Sequence, residues 1–293
     1  MAAIKLSMFV KLHPHAAKLR KRRGRRLRPV RPSRANELWY KSELLKIVKL
    51  LRSSAERHLL PAIHHYTFGN KGVGDAAPPS IKDQFGTMRS EFGGIDSVAK
   101  RLSKAAVTRN LKAVDDRLKA IIKEAVGVDI TAIFAHDTEI MQAMDAATKA
   151  NIDLITSIPE EYFTKLEKAL NDNWVEGVRY EHLANAVQHV ADVTESRAKV
   201  IARDQTSKMN SSFNRVRQTS VGIEKYTWQT SEDEHVRESH AELDGQTFRW
   251  DSPPEIDGEA LNPGEDILCR CNAIPEFDLD EEEEALLAES QEE

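Results

Sequence analysis

Cysteine is scarce in this chain: there are two in 293 residues. That is too few for the disulfide framework of a small secreted domain, and it favours a reducing compartment. Long apolar runs are missing as well. No stretch approaches the roughly 18–20 residues that a membrane helix needs, so no membrane partner is expected. The opening "MAAIKLSMFVKLHPHAAKLRKRRGRRLRPVRPSR" lacks the order of a secretory signal. Lysines interrupt its apolar part, and its charges follow that part instead of preceding it. An organelle transit peptide shares its Arg-rich, acid-poor composition. No internal repeat is visible, which argues against a solenoid. What is present suffices for a core: 40% of residues are hydrophobic, alongside 30% charged.

The net charge of −5 conceals a strong asymmetry. Residues 1–35 carry twelve Lys/Arg and no acid, whereas 276–293 carry ten acids and no base. Blocks of like charge repel and rarely fold alone, so a disordered basic arm (1–35) and a disordered acidic tail (276–293) are expected. The arm is densest at Lys18, Arg20, Lys21, Arg22, Arg23, Arg25, Arg26, Arg28, Arg31 and Arg34. Such a run neutralises phosphates and releases counterions, with salt-sensitive binding. DNA is one partner for it; an acidic protein surface or the chain's own tail is another. Aromatic residues do not interleave with the run, so base stacking is not expected.

Between the ends, residues 36–192 read as a helical body. Asn36 is placed to cap a first helix, in which Leu38, Leu44, Leu45, Val48, Leu51 and Leu59 fall near a 3.6-residue period. Pro61 should kink or end it. "TFGNKGVGDAAPPS", residues 67–80, reads as a linker. From Ile95, Leu111, Val114, Leu118, Ile121, Ile122 and Ala125 line one face of a long helix. Further segments follow at 137–155, 159–175 and 180–192, the last with Leu183, Ala186, Val187 and Val190 inward. A polar helix then runs to Gly222, a helix stop. Short connections favour an antiparallel array.

The texture changes after Gly222. Aromatic and β-branched residues alternate with polar ones, and "LDG", "SPP", "IDG" and "NPG" punctuate them. Strands are expected at 224–229, at 246–250 and around 267–274. The fold class is therefore α+β: a mainly α-helical body followed by a small C-terminal β-containing module (193–275), between disordered charged ends.

Both cysteines lie in "PGEDILCRC", residues 263–271. On an extended strand, positions i and i+2 share a face. Cys269 and Cys271 would then stand side by side with Arg270 pointing away. Three readings are open. The two thiolates are half of a tetrahedral structural zinc site, completed by Asp233 and His240, with His235 also nearby in sequence. Alternatively they form a strained disulfide, since an extended strand sets their Cα atoms about 6.5–7 Å apart. Or they pack as reduced, buried cysteines. Arg237, between acids, suits a charge-assisted pair that holds a loop, and Asp244-Gly245 suits a turn. Catalysis finds little support. A cysteine nucleophile needs a base and an orienting partner that the spacing does not identify, and a histidine-based metal enzyme would need further ligands.

Trp228, Thr230, Asp233, Val236, Arg237, His240, Leu243, Asp244 and Gly245 form one ordered pattern, followed by Pro263-Gly264 and Cys269-Arg270-Cys271. This pattern resembles the C-terminal module of the phage head morphogenesis family typified by the Mu F protein. "IARDQ" is similar to the "IARTE" that commonly leads into that module, with Gln205 where the family more often has Glu. The resemblance covers roughly 195–275. It implies a minor capsid protein, present in few copies, that acts in head assembly at the portal vertex. The implied partners are the portal protein and capsid or scaffolding proteins, with DNA in some members. The implied location is the virion, in the capsid interior or at the portal vertex, and the host cytoplasm during assembly. It implies neither enzymatic activity nor a small-molecule substrate. A DNA-binding protein packaged and ejected with the genome is the alternative reading, and a metal-dependent enzyme a more distant one.

Overall fold

The computed structural model describes residues 27–69, 79–126, 129–131, 134, 138–175 and 180–276. Lys18, Arg20, Lys21, Arg22, Arg23, Arg25 and Arg26, most of the proposed linker, and the acidic run after Glu276 lie outside the described residues. The fold is α+β, as expected. Among the described residues, the six longer helices are α1 (Arg34–Ser54), α2 (Leu60–Gly69), α3 (Pro79–Glu91), α4 (Ile95–Val126), α5 (Thr138–Val175) and α6 (Tyr180–Ser220). The C-terminal module contributes β1 (Lys225–Gln229), the single-turn α7 (Glu238–Ala241), β2 (Thr247–Arg249), β3 (Glu255–Ile256), β4 (Glu259–Ala260) and β5 (Asn272–Glu276). Among the described residues, no helix is long and apolar enough to cross a membrane.

The chain forms two compact units that are discontinuous in sequence. One comprises 37–106 and 148–203; the other comprises 1–36, 107–147 and 204–293. This division differs from the linear one drawn at 192/193, because α4, α5 and α6 each contribute a segment to both units.

The first unit is helical. Along α1, Tyr40, Leu44, Ile47, Val48 and Leu51 are buried, while Leu38 is 45% exposed, so Tyr40 holds the inward position that periodicity gave to Leu38. The Tyr40 hydroxyl donates to Asn151 Oδ1 at 2.7 Å, which meets the need of a buried hydroxyl. Pro61 does not stop the helix. The backbone widens into a π turn over Ala55–Leu59, just before Pro61, and continues as α2. Pro159 likewise sits inside the continuous α5, so the two segments expected at 137–155 and 159–175 are one helix. Opposite ends of this unit's sequence meet in polar contacts. Arg197 Nη2 donates to Ser157 Oγ at 2.9 Å, and Arg52 Nη2 to Gln188 Oε1 at 2.6 Å.

The second unit holds the module from residue 204 on. Ser33, rather than Asn36, caps α1: its Oγ accepts the Asn36 N–H at 3.4 Å, while Asn36 Nδ2 donates to the Arg109 carbonyl. Residues 27–33, expected to belong to a free arm, pack instead. Val30 is fully buried, and its carbonyl accepts from Asn210 Nδ2 at 2.9 Å. Arg28 pairs with Glu124 at 3.4 Å, and Arg117 donates to the Arg31 carbonyl.

The segments expected at 180–192 and beyond form one helix, α6, that ends where Gly222 predicts. Gly222 has φ +83°; its N–H bonds the Thr219 carbonyl, and the Ile223 N–H bonds the Gln218 carbonyl. This is a Schellman closure, which requires the left-handed backbone that glycine adopts freely. The last half of α6 is polar yet buried. Asp204, Gln205, Thr206, Ser207, Asn210, Ser211, Asn214, Arg217 and Gln218 are nearly inaccessible. Burial of this kind is stable only where the polar atoms find partners. Arg217 lies 2.8 Å from Asp115 and stacks 4.3 Å above the Phe134 ring. Gln218 Oε1 accepts from Trp250 Nε1.

β1 is the central strand of an antiparallel sheet ordered β2-β1-β5. The expected strands at 224–229 and 246–250 are present. The third starts later than expected, at Asn272, so Cys269 and Cys271 precede it. Tyr226 and Trp228 of β1, Trp250, Ile256, Cys269, Cys271 and Ala273 form one apolar cluster. The short β3–β4 hairpin turns at Asp257-Gly258, both with positive φ.

Candidate functional site

The site is assembled from three pieces of the module: β1 with the turn after it, the single-turn α7, and the segment 263–271. β1 supplies Trp228, whose ring meets the His240 ring edge-on at 5.7 Å and 87°. After β1 the chain is folded by polar bonds. The Asp244 carboxylate accepts the Thr230 N–H at 2.7 Å, and Gly245, at φ +76°, donates its N–H to the Trp228 carbonyl. The expected Asp244-Gly245 turn is present, and it returns the chain beside β1 as β2.

The segment 263–271 is seated on α6. Gly264 has φ +89°, and a Cβ there would lie 3.2 Å from Ser207 Oγ and 3.4 Å from Ser211 Cβ. Pro263 and Gly264 are both buried. Ser207 Oγ donates to the Cys269 carbonyl at 3.0 Å. Asp204 Oδ1 accepts the N–H of Leu268, a residue held at φ +56°, at 2.9 Å. Gln205, where the family pattern more often has Glu, donates to Asp204 Oδ2. The carboxylate that seats the segment is thus the neighbouring Asp204. Its role was not evident from sequence, since its bond partner is 64 residues away.

The strained turn at Leu268, not an extended strand, brings the two cysteines together. Both are free and buried, so the disulfide reading is overturned. Cys269 and Cys271 are 6% and 5% exposed and His240 is 2% exposed. Each sulfur lies 3.5 Å from His240 Nδ1, and the three donor atoms fall within 4.8 Å of one another. The Cys269 sulfur also accepts the Cys271 N–H at 3.4 Å. Hydrogen bonds from the Cys271 thiol and from the Cys271 and Gly264 amides, together with the His240 ring, pull Cys269 down to about 6 against the effect of burial. Cys271 is pushed upward by its bond to Cys269 and by burial.

Asp233 does not join this group. The Arg270 guanidinium grips its carboxylate with two hydrogen bonds, and Asp233 Oδ1 also accepts the His235 N–H at 3.0 Å. Although desolvation raises it, these Arg270 and backbone bonds hold the Asp233 carboxyl below its ordinary value. His235 is exposed and reaches only towards Glu234. The carboxylate beside His240 is Asp266, whose Oδ2 lies 3.3 Å from Nε2 without the alignment of a full hydrogen bond. Arg237 donates to Asp266 Oδ2 and, at 2.8 Å, to the Ile267 carbonyl. Arg237 holds its loop as expected, through Asp266, and Arg270 on Asp233 forms a second such pair. Asp266 lies only three residues before Cys269, and that proximity was the available signal for it.

Residues 164–274 match the family model described as "Phage Mu protein F like protein", reaching further upstream than the resemblance at 195–275. An uncharacterized protein of Haemophilus influenzae is 34% identical over 270 residues, covering 92% of this chain and 59% of its own length. An uncharacterized protein of Methanocaldococcus jannaschii is 24% identical over 202 residues, covering 66% of this chain and 31% of its own length. The chain thus spans less than two thirds of either relative. No solved structure matches it. The ordered Trp–Asp–Arg–His–Asp-Gly–Cys-Arg-Cys pattern, folded into one locked module, lies within the part of the chain, residues 164–274, that matches the phage Mu protein F-like family model.

Proposed function

We propose that the chain is a minor capsid protein of a phage head, acting in head assembly at the portal vertex by protein contact and not by turnover. The observation that carries this reading is the family match over 164–274, which contains the whole locked module. Asp204, Ser207, Arg237, Asp244 and Arg270 in it are engaged in holding segments together. Asp233, which an enzymatic reading would pair with His240 at a metal, is held by Arg270 instead. The proposed partners are the portal protein and capsid or scaffolding proteins, and the proposed place is the virion, with the host cytoplasm during assembly. The test is a phage carrying a disrupted copy of this gene. Few copies of the protein in wild-type virions, co-purification of the full chain with the portal protein, and defective heads in the mutant are expected. Normal yields of infectious heads without the protein would refute the proposal.

A second reading, DNA binding with delivery alongside the genome, is favoured by the ten Lys/Arg between residues 18 and 34. It predicts that full-length protein binds duplex DNA with a steep salt dependence, and that neutralising these residues flattens the slope.

A further inference from the structure

We infer that Cys269, Cys271 and His240 bind a single zinc ion, with Asp266 as the residue that positions the histidine. The distances argue for an ion. Tetrahedral zinc with Zn–S near 2.3 Å and Zn–N near 2.0–2.1 Å sets its sulfur and nitrogen ligands about 3.5–3.6 Å apart. Both Cys sulfurs stand 3.5 Å from His240 Nδ1. Hydrogen bonding accounts for this arrangement less well. A neutral imidazole nitrogen offers one lone pair in its ring plane, so it accepts from one thiol, not two. One cation replacing both S–H protons satisfies all three donors together.

The surroundings fit the same ion. Two thiolates and one neutral imidazole cancel the charge of Zn²⁺, which a site this deeply buried requires. Soft sulfur donors select zinc over magnesium or calcium. His240 turns Nδ1 to the sulfurs and Nε2 to Asp266 Oδ2 at 3.3 Å, the carboxylate–histidine–metal order that fixes tautomer and ring orientation. Arg237 in turn holds Asp266. Metal ligation also explains why a small module with modest strands carries a buried polar cluster at its centre: the ion ties α7 to the segment 263–271. Three protein donors leave the fourth coordination position to a water molecule.

The test uses the full chain. Protein purified in the presence of zinc and then dialysed should retain about one zinc per chain. Cobalt(II) in its place should give thiolate-to-metal charge-transfer bands and strong visible bands of tetrahedral coordination. Cys269→Ser, Cys271→Ser and His240→Ala should each lose the ion. Asp266→Asn should weaken zinc binding by roughly 10–100-fold, whereas Asp233→Asn should leave it unchanged. Because the ligand variants also threaten folding, wild-type protein stripped with a chelator provides the second measurement. Adding zinc alone should restore the near-ultraviolet signal of the buried Trp228 and protect both thiols from a thiol reagent. Absence of stoichiometric zinc in folded wild-type protein, or loss of zinc in Asp233→Asn with retention in Asp266→Asn, would overturn the assignment.

Discussion

Gly264→Ala probes how the cysteine segment is seated on α6. Two effects add. An L-residue at φ +89° sits in the left-handed region, at a cost of about 1–2 kcal/mol. The new Cβ would also meet Ser207 Oγ at 3.2 Å, closer than ordinary contact. Ser207 cannot yield freely, because its hydroxyl bonds the Cys269 carbonyl, and losing that bond costs about 0.5–1.5 kcal/mol. The sum is a destabilisation of about 1.5–3.5 kcal/mol. Gly245→Ala is the control. Its φ is +76°, with nothing within 4 Å of the added Cβ, so only the backbone cost of about 1–2 kcal/mol applies. The entropy that alanine removes from the unfolded chain is common to both variants and cancels in the comparison. Urea unfolding followed through the buried Trp228 and Trp250 should place Gly264→Ala about 1 kcal/mol below Gly245→Ala. In a double-mutant cycle, Ser207→Ala should absorb part of the Gly264→Ala penalty, since the nearest remaining atom is Ser211 Cβ at 3.4 Å. Equal destabilisation by the two glycine variants, or strict additivity in the cycle, would refute the seating argument.

Two further predictions concern buried and ion-paired polar groups. Asp115→Asn removes the carboxylate charge that lies 2.8 Å from the Arg217 guanidinium, whose side chain is 4% exposed. The expected loss is about 3 kcal/mol, near the lower end for breaking a buried pair because Asp115 keeps partial exposure; a loss under about 0.5 kcal/mol in urea unfolding contradicts it. Glu91 is held below its ordinary value, first by the Ser54 hydroxyl at 2.7 Å and then by His58. A depressed carboxylate contributes stability that is present above its unfolded value of 4.5 and is lost as pH falls through the folded one. Ser54→Ala should therefore move the Glu91 midpoint upward in a carboxyl NMR titration, and an unchanged midpoint would remove Ser54 as the main cause.

Elements governed by local chemistry were legible in the residues. The amphipathic period gave the long helices, and Gly222 marked the end of α6 because its closure needs only the last turn and one left-handed residue. Alternation gave β1 and β2, and Asp244-Gly245 gave the turn between them. Pro61 was expected to kink or end the first helix, and 137–155 and 159–175 were read as separate segments; a π turn just before Pro61 leads into α2, and α5 runs unbroken through Pro159. Asn36 looked like a cap, but Ser33 performs that role one helical turn earlier.

The candidate site divides along the same line. Its two cysteines and His240 were visible as candidate donors, together with Asp233 and His235, because residue type identifies groups that could hold one ion. Which carboxylate serves that set was not. Asp233 and Asp266 are equally acidic in sequence, and only the folded chain gives Asp233 to Arg270 and leaves Asp266 against His240 Nε2. The buried polar face of α6 has the same origin. Ser207 and Asp204 would be solvated on an isolated helix; they are interior because the segment 263–271, some sixty residues on, lies over them and supplies their bonds. Sequence by itself determined the helical body, the β-containing module and the donor types. Tertiary structure decided which acid, which turn and which helix face surround them, since those choices depend on contacts between segments that local periodicity and turn chemistry cannot reach.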